Sequence, residues 1–347
     1  SMKVQDTTAP VRGRLMSTLG TTKLKLLITG ATGKVGSHFL PALFNSRYHT
    51  GWAVRALCNN RVLEMDGVEI VRGSLADRRA VDKAMAGVTH VLHMAAVKES
   101  PDLAMDVGVK GMFNLLEAFR QSGTARQFIL LGGDCSVGHI FQNYEAPITE
   151  AAPRRGYPGC YALTKIIEEV MLEQYQIQYG INGCCLRAPW IMEKDDFRFA
   201  LSFADQFGGP AWSNFLSPAE LQRHAGEGAI PLMRDRNGAP LRRNIVHVSD
   251  LVSAILAALD NPAAQGQLFN ISMDRPVDYS EVAAHLKATR GLPVAEVPTP
   301  YFSNWLDNAK AGLLLGWRPL VDTQQLIESA WSYVRAPDDP RTVWYPG

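Results

Sequence analysis

The feature that most constrains this chain is the segment 26–36, in which an apolar run opens into three evenly spaced glycines. The run ends at Thr29, and Gly30, Gly33 and Gly36 follow it at the start of a helix-like pattern. A strand that turns through glycines into a helix presents backbone N–H groups at the positive end of the helix dipole, where a pyrophosphate binds. The segment therefore predicts a dinucleotide site, with an ordinary strand–helix turn as the alternative.

The composition excludes several classes of protein. Of the 347 residues, 46% are apolar, which is enough for a well-buried core. Lys and Arg number 35 and Asp and Glu 34, without a basic block, so we expect neither a nucleic acid nor a membrane surface as partner. No apolar run reaches the ~18 residues of a membrane-spanning helix. Five cysteines without a CxxC pair, and an N-terminal segment without the apolar core of a secretory signal, indicate a reduced, cytoplasmic protein.

Short apolar runs alternate with helical patterns from about residue 23. Runs of this kind, rather than polar–apolar alternation, are typical of a parallel sheet that is covered on both faces. Helical stripes occupy 103–122, 161–179 and 250–259. The predicted strands are 24–29, 52–57, 68–72, 90–95, 127–131, 182–187, 244–248 and 268–271.

The sequence thus predicts an α/β fold, a Rossmann-type doubly wound parallel sheet with a smaller, mostly helical C-terminal substrate lobe. The rhythm of strands breaks after Arg187, and 191–240 is rich in Phe, Gly, Pro and charged residues. The predicted domains are a flexible N-terminal tail (1–22), an NAD(P)-binding domain (23–190 and 244–273) and a substrate-binding lobe (191–243 and 274–347).

A second pattern places a phenol and an ammonium on one helix face. Tyr161 and Lys165 are four residues apart in a segment with helical periodicity. A phenol with a pKa near ~10 exchanges protons poorly at neutral pH, whereas a nearby ammonium or a positive nicotinamide ring favours phenolate and lowers that pKa. The pair predicts an acid–base site, although a surface tyrosine beside a solvated lysine has the same spacing.

With these patterns in place, the chain resembles the extended short-chain dehydrogenases/reductases of the NAD(P)-dependent epimerase/dehydratase family, over nearly its whole length from residue 24. The order of the motifs is specific for the family and not for a substrate. The motifs are GATGKVG (30–36), HMAA (93–96), NLLEA (114–118), YALTK (161–165), LRAP (186–189), VHVSD (246–250) and LGWRP (315–319).

The resemblance implies roles for individual residues. Tyr161 is the expected general acid/base, Lys165 the residue that holds the nicotinamide ribose, and His247 a structural residue. The helices 103–122 and 161–179 resemble those that form a four-helix dimer interface in relatives, so a homodimer is expected. The expected cofactor-binding residues are Gly30, Thr32, Gly33, Lys34, Val35, Gly36, Asn59, Arg61, Ser74, Leu75, Ala95, Ala96, Lys98, Tyr161, Lys165 and Pro189.

The end of the second strand bears on the choice of cofactor. NAD-binding proteins commonly carry a carboxylate there, which accepts hydrogen bonds from the ribose and repels a 2′-phosphate. The segment 57–61 (LCNNR) contains no acid, and Arg61 offers a guanidinium to a phosphate. The sequence therefore favours NADP, with NAD possible, unless Arg61 is only a solvated residue.

The chain departs from the family pattern at two places. Gly132 and Gly133 stand where the family has a Ser/Thr pair after the fifth strand. Ser136 and Asp134 are the candidates for the missing catalytic group, and Asp134 matches an aspartate that the family's dehydratases use as an acid; a loop cap is its alternative role. Gly108 replaces a common asparagine, which leaves the helix kink and proton-relay contact of relatives without support.

Three functions remain open. The first is hydride transfer, as oxidoreductase, epimerase or dehydratase, at a hydroxyl or ketone carbon of a sugar, sugar acid or sugar nucleotide. The second is a reductase of apolar ketones, of the steroid or flavonol type, and the third a redox sensor that binds NAD(P) without catalysis. Arginines at 198, 223, 234, 236, 242 and 243 are candidates for an anionic substrate group, and aromatic residues at 197, 199, 203, 207, 212 and 215 for an apolar pocket.

Overall fold

A computed structural model describes residues 23–205 and 211–341, so the predicted N-terminal tail lies outside the described residues. Its strands are β1 (Lys25–Thr29), β2 (Ala53–Cys58), β3 (Val68–Arg72), β4 (His90–His93), β5 (Gln127–Gly133), β6 (Gly183–Ala188), β7 (Trp190–Met192), β8 (Ile230–Arg234), β9 (Arg242–Arg243), β10 (Ile245–His247), β11 (Gln267–Asn270), β12 (Val277–Asp278) and β13 (Val294–Pro298).

The helices connect these strands and complete the C-terminal part of the chain. They are α1 (Lys34–Asn45), α2 (Arg78–Met85), α3 (Pro101–Leu103), α4 (Lys110–Gln121), α5 (Cys160–Tyr179), α6 (Asp196–Ala200), α7 (Pro218–Gly226), α8 (Val248–Ala258), α9 (Tyr279–Arg290), α10 (Ala309–Leu315) and α11 (Thr323–Ser332). A π-helical segment, Ala104–Val109, joins α3 to α4. Within 23–205 and 211–341, no helix combines the length and apolar character needed to cross a bilayer.

Seven strands form one parallel sheet in the order β3-β2-β1-β4-β5-β6-β11. The predicted doubly wound parallel sheet is therefore confirmed. The order of the strands reverses between β1 and β4, and a crevice forms at the carboxyl ends of the strands at such a switch point. The cofactor site is expected at this edge of the sheet.

Both faces of the sheet are covered, as the apolar runs predicted. Leu26 and Ile28 of β1 pack into the cluster formed with α1 and α8, whereas Leu27 packs into the cluster formed with α4 and α5. This alternation follows from the two-residue period of a strand. Because all three side chains are completely buried, β1 lies at the centre of the fold and holds the glycine turn in a fixed place.

The C-terminal lobe has a core of its own. Phe197 and Phe203 are buried there together with residues of α9 and α11. The lobe is less helical than its sequence pattern indicates, because β8 and β13 form a parallel two-stranded sheet. The predicted strand 244–248 is shorter and pairs through β10 with β7, outside the main sheet. Two-stranded pairs of this kind leave little periodicity in the sequence.

The end of the chain returns to the nucleotide-binding part. Trp317 packs into the same cluster as α1 and α8, and its Nε1 donates to Asp250 O (3.0 Å) and Ser253 Oγ (2.9 Å). The Asp250 carboxylate accepts hydrogen bonds from the backbone of Leu320 and Val321. The domain boundaries drawn from sequence stay a prediction. Ala311 of α10 and Trp317 belong to the segment assigned to the lobe, but they pack with α1 and α8 of the nucleotide-binding part.

Candidate active site

The glycine turn between β1 and α1 depends on two close approaches. Gly30 has a φ of +73°, and a Cβ there would lie 2.7 Å from the backbone nitrogen of Ala95. A Cβ on Gly36 would overlap the carbonyl group of Ala31, so the first turn of α1 packs directly on the turn before it. Larger residues would therefore force apart β1, β4 and α1. The first N–H groups of a helix point out of its N-terminus, so the start of α1 is a place where an anion can bind.

A cavity of about 650 Å³ begins at this turn and runs along the carboxyl ends of β1, β4, β5 and β6 to the start of α5. Its lining residues are Gly30, Thr32, Gly33, Lys34, Val35, Arg61, Met94, Ala95, Ala96, Lys98, Leu131, Gly132, Gly133, Asp134, Cys135, His139, Phe141, Tyr157, Pro158, Tyr161, Lys165, Ala188, Pro189, Trp190, Ile191 and Arg243.

Most of the residues expected from sequence to bind cofactor line this cavity. Four of them do not, and each makes another contact or lies on the surface. Gly36 packs inside α1, and Asn59 is exposed. Ser74 Oγ accepts a hydrogen bond from the backbone of Ala76, and Leu75 is buried with its carbonyl bonded to Asn114 Nδ2 (2.8 Å).

Tyr161 and Lys165 lie one turn apart on α5 and both line the cavity. Lys165 is 4% exposed, and its Nζ donates to Leu131 O (3.0 Å) and lies 6.0 Å from the centre of the Tyr161 ring. The start of α5 is held by Glu99, whose carboxylate accepts from the backbone N–H groups of Cys160 and Tyr161. The structure thus places the predicted acid–base pair beside the predicted nucleotide turn.

The electrostatics of Tyr161 differ from the expectation. Burial raises the pKa of its phenol well above the ordinary value, and the neighbouring Cys135, Tyr157 and Glu168 add to the effect. The presence of Lys165 alone therefore does not bring the pKa of Tyr161 below its ordinary value. Positive charge brought into the cavity would oppose this effect.

A second ammonium also faces the tyrosine. Lys98, in the loop after β4, has its Nζ 4.2 Å from the centre of the Tyr161 ring. Burial and the positive charge of Lys165 lower the pKa of Lys98 to about 8. Two cationic side chains therefore lie near the phenol, and negative charge that develops on its oxygen is stabilised.

The missing Ser/Thr pair has a steric explanation. A Cβ on Gly132 would lie 2.8 Å from Cys185 Sγ, and one on Gly133 would lie 3.0 Å from Cys135 Sγ. The two cysteines thus occupy the space into which side chains at these positions would extend. Ser136, one candidate substitute, is completely buried, outside the cavity lining, and its Oγ has no hydrogen-bond partner among the described residues.

Asp134, the other candidate, lines the cavity and belongs to a chain of polar side chains. Its Oδ2 lies 2.6 Å from Nδ1 of His139, and His139 Nε2 accepts from Nε of Arg243 (2.8 Å). Because Nε2 accepts a hydrogen bond, Nδ1 carries the proton and donates to Asp134. The Arg243 guanidinium also stacks 3.7 Å from the ring centre of Trp190.

His139 was not expected from the sequence, and Arg243 was one of six candidate arginines. Among those six, Arg243 is the one that lines this cavity. The contact between His139 and Arg243 joins positions 104 residues apart, and β9 is two residues long, so no local pattern indicates it. The described aromatic residues proposed for an apolar pocket do not line the cavity either, whereas position 207 lies outside the described residues.

The departure at Gly108 also has a structural counterpart. The residue lies in the π-helical segment, and a Cβ there would be 2.8 Å from Cγ2 of Thr164 on α5. An asparagine side chain at this position would require Thr164 to move. The helix is thus irregular here without an asparagine, and the close contact draws the segment against the helix that carries Tyr161.

A smaller cavity of about 160 Å³ adjoins the glycine turn. Lys34 and Arg61 line both cavities. Lys34 Nζ donates to Asp196 Oδ2 (2.8 Å) and to Ile191 O (3.1 Å), so it links the nucleotide turn to the lobe. Its predicted contact with a cofactor stays a prediction.

The chain is similar in sequence and in fold to several known proteins. UDP-glucuronate 4-epimerase 2 of Arabidopsis thaliana is 27% identical over 303 residues, which cover 76% of this chain and 63% of that protein, so the chain spans less than two thirds of its length. A short-chain dehydrogenase/reductase superfamily protein from Agrobacterium tumefaciens, solved with bound NAD, has a TM-score of 0.73 and 27% identity over 88% of this chain and 95% of its own.

The UDP-glucose 4-epimerase of Thermus thermophilus, solved with NAD, shares the fold with a TM-score of 0.66 at 23% identity, covering 90% of this chain and all of its own. The model of the NAD dependent epimerase/dehydratase family matches residues 26–272, which include the glycine turn, the Tyr161–Lys165 pair and the strands between them. The chain therefore belongs to the NAD dependent epimerase/dehydratase family.

Proposed function

We propose that this protein transfers hydride at a hydroxyl or carbonyl carbon of an anionic sugar derivative, a sugar nucleotide or a sugar acid, with Tyr161 as general acid/base. The observation that carries the proposal is that the glycine turn, the Tyr161–Lys165 pair and Arg243 line one cavity. These elements supply a dinucleotide site, a proton-transfer group and an anion site within reach of one another.

The residues present fit a nicotinamide dinucleotide. The side-chain-free surfaces of Gly30 and Gly33 and the start of α1 suit a pyrophosphate, and Ala95 and Ala96 leave space along the end of β4. Lys165 is placed to hold ribose hydroxyls. A bound nicotinamide supplies the acceptor or donor of the hydride.

The protein's own residues provide the acid–base chemistry. Tyr161 accepts the proton of a substrate hydroxyl as phenolate, or donates it to a carbonyl oxygen as phenol. Because burial raises the pKa of Tyr161, the phenolate depends on the positive charges of Lys98 and Lys165 and on a cationic ring in the cavity. Without the charge of that ring, Tyr161 holds its proton.

Arg243 supports an anionic substrate. The contact with His139 and the stacking on Trp190 fix the guanidinium plane, so its terminal nitrogens are oriented before a ligand arrives. A rigid guanidinium matches a carboxylate or a phosphate with two parallel hydrogen bonds. The relative named above acts on UDP-glucuronate according to its name, a molecule that carries both groups.

The test is incubation of the purified protein with NAD or NADP and UDP-glucuronate, UDP-glucose, D-glucuronate or L-arabinose. Net formation of reduced nucleotide identifies a dehydrogenase; conversion of a sugar nucleotide without it identifies an epimerase or dehydratase. Arg243→Met is expected to raise KM for the anionic substrates about tenfold to hundredfold while KM for L-arabinose stays unchanged. Turnover of bulky apolar ketones instead, or nucleotide binding without turnover of any substrate, would contradict the proposal.

Cofactor preference is a separate prediction. No acidic residue occupies 58–61, and Arg61 lines the groove beside the glycine turn, so we expect NADP to be accepted. Arg61→Ala should weaken NADP binding about tenfold and change NAD binding less than twofold, since the 2′-phosphate is the group it contacts. Calorimetric titration with both nucleotides measures this; equal weakening for the two would refute the phosphate contact.

The oligomeric state is also predicted. On α4 and α5, large apolar side chains are exposed, among them Phe113 (47%), Leu163 (54%) and Ile177 (68%). Apolar surface on two adjacent helices suits a four-helix interface between two copies. Light scattering coupled to gel filtration should find a homodimer, and Ile177→Glu should shift it towards monomer. The exposed Leu313→Glu variant on α10 (83% exposed) is the matched control.

A further inference from the structure

Glu168 is a buried carboxyl next to Lys165, and the proposed hydride transfer does not require it. Its Oε1 lies 3.8 Å from Lys165 Nζ and its Oε2 lies 3.6 Å from His93 Nε2. The side chain is 2% exposed, and Oε2 has no hydrogen-bond partner among the described residues. A carboxyl in such a place is costly as an anion unless positive charge lies near it.

The tautomer of His93 follows from its neighbours. Thr29 Oγ1 accepts hydrogen bonds from the backbone N–H groups of Met94 (3.0 Å) and Ala95 (3.1 Å), so its own hydrogen is left for His93 Nδ1 at 2.6 Å. Nδ1 therefore accepts, and Nε2 carries the proton and points towards Glu168. Burial and Lys165 lower the pKa of His93 to about 3, so this ring stays neutral. The charge of the cluster is then set by Lys165 and Glu168.

The charged groups around Glu168 come from three elements. Lys165 and Glu169 lie on its own helix, and Glu169 is paired with Arg187 of β6 (2.6 Å). Lys98, after β4, adds positive charge near Lys165. Burial raises the pKa of Glu168 to about 7, with Glu169 in the same direction and Lys165 opposing it. Its proton is therefore exchangeable near neutral pH.

We infer that Glu168 is a positioning residue that acts through Lys165: its carboxyl loses a proton when the nicotinamide ring in the cavity is positive and regains one when the ring is neutral. The inference rests on the proposed function. With Glu168 protonated, the Lys165–Glu168–His93 cluster carries one positive charge, and with Glu168 ionised it is neutral. A cationic ring is repelled by the first state and not by the second.

The exchange is balanced in charge and atoms. The O–H bond of Glu168 breaks as the oxidised nucleotide binds, and the proton passes to solvent. If hydride transfer then made the ring neutral, the carboxylate would take a proton back from solvent. Glu168 thereby offsets, at Lys165, part of the change in charge at the ring.

Infrared difference spectroscopy between pH 5.5 and 8.5, without nucleotide, tests the titration itself. The wild-type protein should show the carbonyl stretch of a protonated carboxylic acid that disappears near neutral pH. Glu168→Gln should lack this band. Glu173→Gln is the control, because Glu173 lies on the same helix and is half exposed (48%). A band retained in Glu168→Gln would overturn the inference.

Titration with NAD⁺ and NADH tests the coupling to the ring. In the wild-type protein and in Glu173→Gln, the ratio of the dissociation constants of NAD⁺ and NADH should fall about tenfold between pH 6 and 8.5, because ionised Glu168 favours the cationic form. In Glu168→Gln the ratio should stay nearly constant from pH 6 to 7.5, above which Lys98, with a pKa of about 8, loses its own positive charge. The same pH dependence in Glu168→Gln would contradict the inference, whereas failure of the wild-type protein to bind either nucleotide would contradict the proposed function.

A measurement on the wild-type protein covers the case in which Glu168→Gln fails to fold. Calorimetry in two buffers of different ionisation enthalpy counts the protons released on binding. NAD⁺ should release a fraction of a proton near pH 7 both in the wild-type protein and in Tyr161→Phe, which has no phenol to ionise, and NADH should release none. Equal proton release for both nucleotides would overturn the coupling.

Discussion

Replacement of Tyr161 by phenylalanine is expected to lower kcat about 10³-fold and to leave the dissociation constant of the nucleotide within a factor of two. The change removes the hydroxyl that we propose exchanges a proton with the substrate, and loss of a general acid/base typically costs 10²- to 10⁴-fold. Phenylalanine keeps the ring over which Lys98 lies (4.2 Å), so the shape of the cavity is retained. Steady-state kinetics with the best substrate and calorimetric titration with nucleotide measure the two quantities.

Tyr157→Phe is the matched control. Tyr157 lines the same cavity, and burial raises the pKa of its phenol too. Tyr157 lies before α5, and its ring packs against Phe141. We therefore interpret Tyr157 as part of the cavity wall. A fall in kcat of less than about tenfold is expected for this variant. Equal losses for Tyr157→Phe and Tyr161→Phe would contradict the assignment of Tyr161.

Arg187→Met is expected to destabilise the protein by about 3–5 kcal/mol. Arg187 Nη2 donates to Glu169 Oε1 (2.6 Å), and both side chains are 1% exposed. Removal of the arginine leaves a buried carboxylate without its counter-charge, on the helix that carries Tyr161 and Lys165. Denaturant unfolding at pH 8 measures the free energy of unfolding.

The double variant Arg187→Met/Glu169→Leu distinguishes the effect of an unpaired buried charge from the effect of lost packing. Nε and Nη1 of Arg187 have no hydrogen-bond partner among the described residues, so the intact pair is not fully compensated. Replacing both partners with apolar side chains should restore most of the lost free energy of unfolding, because no isolated charge remains. If the double variant were as unstable as Arg187→Met, loss of packing would explain the effect, and the charge would not.

The nucleotide half of the fold was predictable because its signals are local. The apolar run 26–29, the glycines at 30, 33 and 36 and the following helical pattern lie within a few turns of chain. Gly30 and Gly36 do what their spacing suggests, since a Cβ on either would collide with backbone. Buried parallel strands carry a continuous apolar signature, so the order of elements could also be read.

The candidate site was predictable only where its parts share one element. Tyr161 and Lys165 are one turn apart on α5, so helical spacing brings them together in any fold. Ser136 had the right residue type and spacing, yet the loop after β5 buries it outside the cavity lining. The type of a residue and its position along the chain do not predict whether the loop directs its side chain into the cavity.

The contacts that distinguish this site join distant segments. Arg243 reaches Asp134 through His139, and Glu168 comes to lie between His93 and Lys165. Lys165 and Glu168 share α5, and Asp134 and His139 share the segment after β5, but His93 and Arg243 come from other strands. No local periodicity therefore predicts either complete set. Burial, which decides the pKa of Tyr161 and of Glu168, is likewise a property of the packed molecule.

By itself the sequence determined the family, the parallel sheet, the glycine turn and the tyrosine–lysine pair, because each is encoded in residues that neighbour one another along one element. Only the tertiary structure decided which arginine lines the cavity, that Cys135 and Cys185 fill the space beside Gly133 and Gly132, and which carboxyl lies between Lys165 and His93. The physical reason is that charge, burial and close packing act through space, across segments whose separation along the chain carries no signal.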